Sequence, residues 1–329
     1  MNNNKTVGAN EVAELLRKSD SITLLCHTAP DEDTVCSAYA LYLALQGIGK
    51  EVKIYSPSKL PPRASSYYDE SVFSYSPYDD PPRESSLTVT VDVATSARLG
   101  SLEEYFGNKV DVRIDHHAAS SDFALYNYND PSATAVAQLI FEIIKLLGVM
   151  SPDIASSLYT AVLSDSGGFK HQNMTAKAHY AAAELIECGA DVSGISDALF
   201  GVKTHEALRA LHLGLEKIRF ICAGKVAIIS ITNEDKRAEG ISDADLDELS
   251  AFSCIANGVL LGIVLKESSE YKGEYKVSMR SKPPVDASAI CKKLGGGGHE
   301  CASGATIYAD NINEAEEILL AFVISGLSK

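Results

Sequence analysis

The chain has 329 residues, 46% hydrophobic and 22% charged, with a formal net charge of −15 and seven cysteines. That length predicts two domains with real cores, and the acidic balance argues against coating long nucleic acid, which requires basic residues that displace counterions from phosphates. The N-terminus lacks the apolar stretch of a secretory signal, no apolar run reaches membrane-span length, and cysteines without a C-x-x-C pair read as reduced thiols; a cytoplasmic location and no membrane partner are expected.

In chain order, Ile22–Cys26 is an unbroken apolar run of buried-strand length, and Ser37–Gln46 is a helix stopped by Gly47 and Gly49. Val52–Tyr55, Leu87–Val91 and Val110–Ile114 are further strands, with a Pro-, Ser-, Tyr- and Asp-rich surface excursion between Lys59 and Glu84. Ala133–Leu147 and Ile154–Leu163 carry helical periodicity. Apolar strands alternating with helices predict an α/β fold: a parallel-sheet domain over residues 1–189 with helices on both faces. Ala190–Lys217 reads as a helical, solvent-facing connector. From residue 218 to 329, strands at Lys225–Ile231, Gly258–Lys266, Tyr275–Met279 and Ala305–Tyr308 mix with helices at Asp286–Leu294 and from Ile312. They predict a smaller α+β domain, facing the first across a cleft.

Open α/β sheets bind ligands beyond the carboxyl ends of their strands. There the first strand runs into His27-Thr28-Ala29-Pro30-Asp31-Glu32-Asp33, the third ends at Asp92, the fourth at Asp115-His116-His117, and the helix Ile154–Leu163 runs out at Ser164-Asp165. Each residue alone has an ordinary reading: Asp31 or Asp33 caps the helix beginning near Thr34, and Asp165 caps a turn. Together, at one sheet edge, so many ionisable groups call for a cation, because uncompensated buried charges cost several kcal/mol each. Carboxylates and imidazoles without thiolate suit Mn²⁺, Mg²⁺ or Fe²⁺ better than structural zinc. The number of donors suits two ions sharing a carboxylate about 3.5–4 Å apart, the geometry for in-line attack on phosphorus.

A second cluster is Gly295–Gly298 followed by His299. The bland reading is a flexible hairpin loop; the other is a cradle of glycine amides around an anion. Arg280 and Ser281 lie upstream in the window Lys276–Lys293, which carries five basic residues and one acid. Such a window is often only a solvated face, but an arginine fork beside glycine amides makes a phosphate clamp.

The blocks HTAPDED, VDVATSARLG, IDHH and SDSGGF, followed in order by MRSK and GGGGHECASG, resemble the DHH phosphoesterase superfamily. The likeness spans nearly the whole chain and is strongest to the stand-alone oligoribonuclease and pAp phosphatase branch, with its C-terminal DHH-associated domain. It implies a phosphodiesterase that degrades short oligoribonucleotides (nanoRNA, pApA) to nucleoside 5′-monophosphates by metal-hydroxide attack. The alternative is a phosphatase of 3′-phosphoadenosine 5′-phosphate (pAp), and the remoter one a non-catalytic nucleotide sensor. It implies two divalent ions, Mn²⁺ foremost, with Mg²⁺ or Co²⁺ as substitutes. His27, Asp31 and Asp92 would hold one ion and Asp33, Asp92, His116 and Asp165 the other, with Asp92 bridging. His117 would contact the phosphate as it gains charge or donate to the leaving oxygen, and Asp115 would orient a ligand histidine. Arg280, Ser281, Gly296, Gly297, Gly298 and His299 would grip the substrate. Glu32 and Cys36 stand where the family has a small residue, and Ser164 and Ser166 where it has threonines. The partners implied are short oligoribonucleotides or nucleotide phosphates; a homo-oligomer is neither signalled nor excluded.

Overall fold

A computed structural model describes residues 4–201 and 203–327 and divides the chain into two compact units, residues 1–202 and 203–329. The first comprises β1 (Lys5–Thr6), α1 (Ala9–Lys18), β2 (Ser21–Leu25), α2 (Glu32–Gly47), β3 (Glu51–Tyr55), β4 (Phe73–Ser74), β5 (Leu87–Val91) and α3 (Glu103–Phe106). It continues with β6 (Val112–Asp115), β7 (Tyr126–Asn129), α4 (Val136–Leu147), α5 (Pro152–Asp165), α6 (Ala176–Glu187) and α7 (Val192–Ser196). Its seven strands are parallel in the order β1-β7-β6-β5-β2-β3-β4.

The period-2 alternation of the strands divides the two faces. Ile22, Leu24, Ile54, Val89, Val91, Val112 and Ile114 face a layer built from α1, α2 and α4. Helix α2 is apolar nearly all round because α5 packs on its outer side, so it is enclosed between sheet and helix. The opposite face is more polar, with Thr23, Thr88, Thr90 and Arg113 buried there. It is covered by α3 and the helical turn before it, whose Leu99, Leu102 and Phe106 pack on Leu25, Tyr55 and Val93. The chain leaves β2 outward to β3 and β4, then returns at β5 on the other side of β2. The carboxyl ends of β2 and β5 therefore form the switch point where such sheets bind ligands. The excursion after Lys59 is less irregular than expected: Tyr68 and Phe73 are buried edge-on to each other, and β4 extends the sheet beside β3.

The second unit comprises α8 (His205–Lys217), β8 (Arg219–Ile221), β9 (Val226–Ile231), α9 (Asn233–Glu239), α10 (Leu249–Phe252), β10 (Leu261–Glu267), β11 (Glu274–Ser281), α11 (Ala287–Lys293), β12 (Gly297–His299), β13 (Ala302–Tyr308) and α12 (Ile312–Leu327). Its mixed sheet runs β12-β13-β11-β10-β9-β8, with only β9 and β10 parallel. Helices α11 and α12 cover one face through Ile290, Cys291, Ala315 and Leu319. Ala210 and Leu213 of α8 and Leu249 of α10 cover the other. The stretch 190–217, expected as a solvent-facing connector, is instead divided between the units. Ile195 and Leu199 are buried in the first core and Ala210 and Leu213 in the second, because both pairs recur at helical spacing. Among the described residues no helix is long and apolar enough to cross a membrane.

Candidate metal centre

At the switch point Asp92 follows β5 with φ of 63°, a left-handed conformation that aspartate tolerates better than most residues. Its carboxylate is buried. Thr34 donates its hydroxyl to Oδ2 at 2.6 Å, and His27 Nε2 lies 3.5 Å from the same oxygen. Oδ1 is buried with no hydrogen-bond donor, while His116 Nε2 and His117 Nδ1 each stand 3.5 Å away. A buried carboxylate oxygen without a donor, ringed by imidazoles, is the signature of a group made to bind a cation.

The two flanking donor sets are built by the ends of other elements. Asp31 caps α2 by accepting from the Thr34 amide at 3.0 Å, and its Oδ1 lies 3.8 Å from His27 Nε2. Asp33 caps a different helix: it accepts from the amides of Val136 at 2.7 Å and Ala137 at 3.2 Å, at the start of α4. Its Oδ2 faces His116 Nε2 at 3.7 Å, and Asp165 Oδ2, at the end of α5, lies 3.9 Å from the same nitrogen. The structure thus brings His27, Asp31 and Asp92 into one group, Asp33, His116 and Asp165 into a second, and Asp92, His116 and His117 into a third, with donor atoms in each within 4.8 Å. Capping by Asp31 and Asp33 does not preclude a ligand role, because each carboxylate retains lone-pair capacity beyond the hydrogen bonds it accepts.

Hydrogen bonds bear on which ring nitrogen each histidine presents. His116 Nδ1 lies 3.2 Å from the Ala133 carbonyl, which can only accept, so Nδ1 carries the proton and Nε2 is bare. His27 Nδ1 has two neighbours, the Thr28 carbonyl at 2.8 Å and Arg98 Nη2 at 3.0 Å. Donation to Thr28 leaves Nε2 free to bind a cation; acceptance from Arg98 does not. His117 Nδ1 meets Asp115 Oδ1 at 2.8 Å, and Asp115 is held from behind by Arg113 Nη1 at 2.6 Å. His117 is therefore oriented by Asp115 and half exposed, with Nε2 lacking a protein partner among the described residues.

Thr34, Arg98, Arg113 and the Ala133 carbonyl escaped the sequence reading. Arg98 lies within the VDVATSARLG block, and Arg113 two residues before Asp115 on one strand face was the available signal for that pair.

The electrostatics follow from the crowding. Burial, then the charges of Asp92 and Asp165, push the Asp33 carboxyl well above the ordinary range. Burial, reinforced by Asp31 and Asp92, raises Asp165 to about 6. Burial also opposes ionisation of Asp92, but the His27 hydrogen bond and the neighbouring imidazoles outweigh it and hold that carboxyl low. Burial opposes charging of His27, yet the bond to Asp92 wins and its pKa is raised; His117 is raised chiefly by its bond to Asp115.

These directions set a pH dependence. Asp165 keeps in the folded state a proton that the unfolded chain releases above 3.8, so its contribution to stability declines as pH rises toward about 6. His27 and His117, with raised folded values, stabilise below their ordinary range and lose that contribution as pH rises through the folded values. Asp92 is ionised throughout that window and adds no slope. The Tm of chelator-treated protein should therefore fall as pH rises through about 6 and on beyond the ordinary histidine range, and a divalent cation should reverse the trend because it binds the deprotonated donors. A flat or rising Tm after chelation would contradict the burial of these groups.

The second unit places the remaining candidates differently from expectation. Arg280 and Ser281 are neighbours on β11 and so project from opposite faces. Ser281 is buried and donates its hydroxyl to the Glu300 carbonyl at 3.0 Å, which gives it a structural bond instead of a place beside Arg280. Arg280 is half-buried and lines a small cavity of about 160 Å³ with Asp247, Ser250 and Lys266. Gly297, Gly298 and His299 are not a loop but the edge strand β12, and the register aligns His299 with Ala302 and Ala302 with Arg280. The His299 side chain lies outside the described residues. Packing explains two of the glycines: a Cβ at Gly296 would come within 2.1 Å of the Gly304 carbonyl, and at Gly298, with φ of 140°, within 2.6 Å of the Ala302 carbonyl.

A parallel sheet whose switch point gathers aspartates and histidines from four segments defines an α/β protein with a candidate divalent-metal centre. The chain belongs to the DHH family: residues 21–164 match the DHH family N-terminal domain and residues 224–325 the DHHA1 domain. It is 30% identical over 321 residues to a bifunctional oligoribonuclease and PAP phosphatase, NrnA, of Thermus thermophilus, covering 97% of this chain and 94% of that one. The protein of the same name from Bacillus subtilis is 26% identical over 94% of this chain and 96% of its own. The crystal structure of an exopolyphosphatase-related protein from Bacteroides fragilis shares the fold, with a TM-score of 0.87 at 21% identity, covering 96% of this chain and 95% of that one.

Proposed function

We propose that the chain is a divalent-metal-dependent phosphodiesterase that degrades short oligoribonucleotides to nucleoside 5′-monophosphates, and that the same centre dephosphorylates pAp. The carrying observation is Asp92: a buried carboxylate with an orphaned oxygen, shared by all the candidate ligands His27, Asp31, Asp33, His116 and Asp165 through direct or one-step contact. The oxygen and imidazole donor set fits Mn²⁺ first and admits Mg²⁺ or Co²⁺. Bound ions would supply a water of lowered pKa and neutralise charge on the phosphate.

The chain's own groups do the rest. Asp33 and Asp31, fixed as helix caps, hold their carboxylates at set positions without reorganisation. The Asp115–His117 bond keeps the proton on Nδ1, so Nε2 is the atom that can donate to a phosphate or leaving oxygen when the ring is protonated. The hydrogen bond to Asp115 raises the His117 pKa and so favours the protonated ring. In the second unit, Arg280 with Gly296, Gly297, Gly298 and His299 is the candidate for holding a substrate anion, while the Ser281 hydroxyl donates to the Glu300 carbonyl on the opposite face.

The bifunctional names of the full-length relatives favour both activities over a choice between them. A product time-course with Mn²⁺ on a labelled five-nucleotide RNA, pApA and pAp tests the reading. Mononucleotides released from the two oligonucleotides and phosphate from pAp are the expected result. No turnover of any of the three with Mn²⁺, Mg²⁺ or Co²⁺ would sink it.

A further inference from the structure

Besides Asp115, which orients His117, one buried carboxylate of this cluster is not among the candidate metal donors. Glu32 stands between Asp31 and Asp33 in the first turn of α2, and its side chain is only 5% exposed. Its Oε2 receives a hydrogen bond from Ser164 at 3.1 Å, and Ser164 directly precedes Asp165. Its Oε1 receives a hydrogen bond at 3.2 Å from Nε of Arg63, in the helical turn Pro62–Ala64. The Arg63 side chain is 57% exposed, and its two terminal nitrogens have no protein partner among the described residues. The same turn packs against the helical segment Asp197–Gly201, whose Phe200 lies over Gly168, three residues beyond Asp165.

A further carboxylate beside three aspartates would repel a phosphorylated ligand, and the ion pair with Arg63 cancels that charge. It also does something a lysine could not. A guanidinium bonded through Nε to one carboxylate keeps its opposite edge, Nη1 and Nη2, free in the planar fork that matches two oxygens of a phosphate. Anchoring at Nε removes much of the side-chain freedom that an exposed arginine would otherwise lose on binding.

We propose that Arg63, held by Glu32 at the rim of the Asp31–Asp33–Asp165 cluster, is a specificity-determining residue that binds a second, non-reacting phosphate of the substrate. This rests on the phosphoesterase reading above and narrows it. Substrates with a second phosphate, such as pAp and pApA, gain from Arg63, and phosphodiesters with a single phosphate do not.

The test compares wild type, Arg63→Ala and Arg63→Lys on pAp, pApA and bis(p-nitrophenyl) phosphate with Mn²⁺, alongside Mn²⁺ content and Tm. Arg63→Ala should raise KM for pAp and pApA about tenfold, leave KM for the single-phosphate ester within about twofold, and leave bound Mn²⁺ unchanged. Arg63→Lys should recover part of the loss, because charge returns without the fork. Glu32→Gln, which keeps the side-chain volume but removes the ion pair, should reproduce the KM effect more weakly. An active wild type whose KM values are unmoved by Arg63→Ala, or shift equally for all three esters, overturns the arginine assignment alone. A wild type that turns over none of the esters overturns the phosphoesterase reading and this inference with it.

Discussion

Alanine in place of Asp92 is expected to lower phosphoester hydrolysis by at least about 10³-fold, the scale on which removing a charge-stabilising group at a reacting centre acts. The size follows from sharing. Asp92 Oδ2 faces His27 and Oδ1 faces both His116 and His117, so no other carboxylate of the centre touches as many candidate ligands. Removing it leaves three imidazoles around an apolar gap and should abolish stable occupancy by two ions, read by calorimetric titration with Mn²⁺ or by metal analysis after dialysis. Asp92→Asn is the sharper variant, since it retains volume and the Thr34 bond while losing the charge. A substituted protein that still bound two ions and hydrolysed at the wild-type rate would remove Asp92 from the centre.

Arg113→Met is the substitution with the largest expected cost in stability. The guanidinium and the Asp115 carboxylate are both fully buried and 2.6 Å apart, and Arg113 also reaches Asn127 Oδ1 at 3.2 Å and Asp122 at 3.0 Å. Methionine fills much of the space but strands the Asp115 charge. Breaking a buried pair from one side costs about 3–5 kcal/mol, a drop of roughly 10 °C in Tm for a unit of this size. The pair also steers His117, so kcat should fall even at temperatures where the variant stays folded. The double substitution Arg113→Met with Asp115→Asn should recover part of the lost stability, because the orphaned charge is gone, but not the activity, because an amide does not hold the imidazole as a carboxylate does. A melting point unchanged to within about 2 °C would show that this ion pair contributes little.

How much of this was legible in advance varies by element. The strands 22–26, 52–55 and 87–91 were readable because short runs rich in β-branched and apolar residues, interrupted only by Thr23, Lys53, Thr88 and Thr90, suit a largely buried sheet. Helix α2 was readable from its apolar content, with its start set by the Asp31 cap. The strands β1 and β7 and helix α1 were not identified. Tyr126–Asn129 alternates tyrosine with asparagine, and its buried Asn127 is acceptable only because Arg113 and the Ala124 backbone satisfy it, partners that no local pattern announces. The glycine row left a loop and an anion cradle both open for a related reason. Glycine is permissive enough to suit a loop, and only the close approach of β13 shows why Gly296 and Gly298 lack side chains. Arg280 and Ser281 were both expected to grip the substrate, whereas adjacency on a strand separates their side chains to opposite faces.

The sequence by itself determined the kinds of group available: aspartates and histidines at the ends of elements, in an acidic chain with no thiolate among them. It also determined the alternation of buried strands and helices, since the period of apolar residues is a local property of the backbone. Only the tertiary structure decided that Asp33 caps α4 rather than its own helix, that Asp92 is left with an orphaned oxygen, and that Glu32 links Arg63 to the neighbour of Asp165. Those contacts join residues separated by thirty to more than a hundred positions. Their distances depend on strand order, which is set by the burial of whole apolar faces and not by any short stretch of sequence.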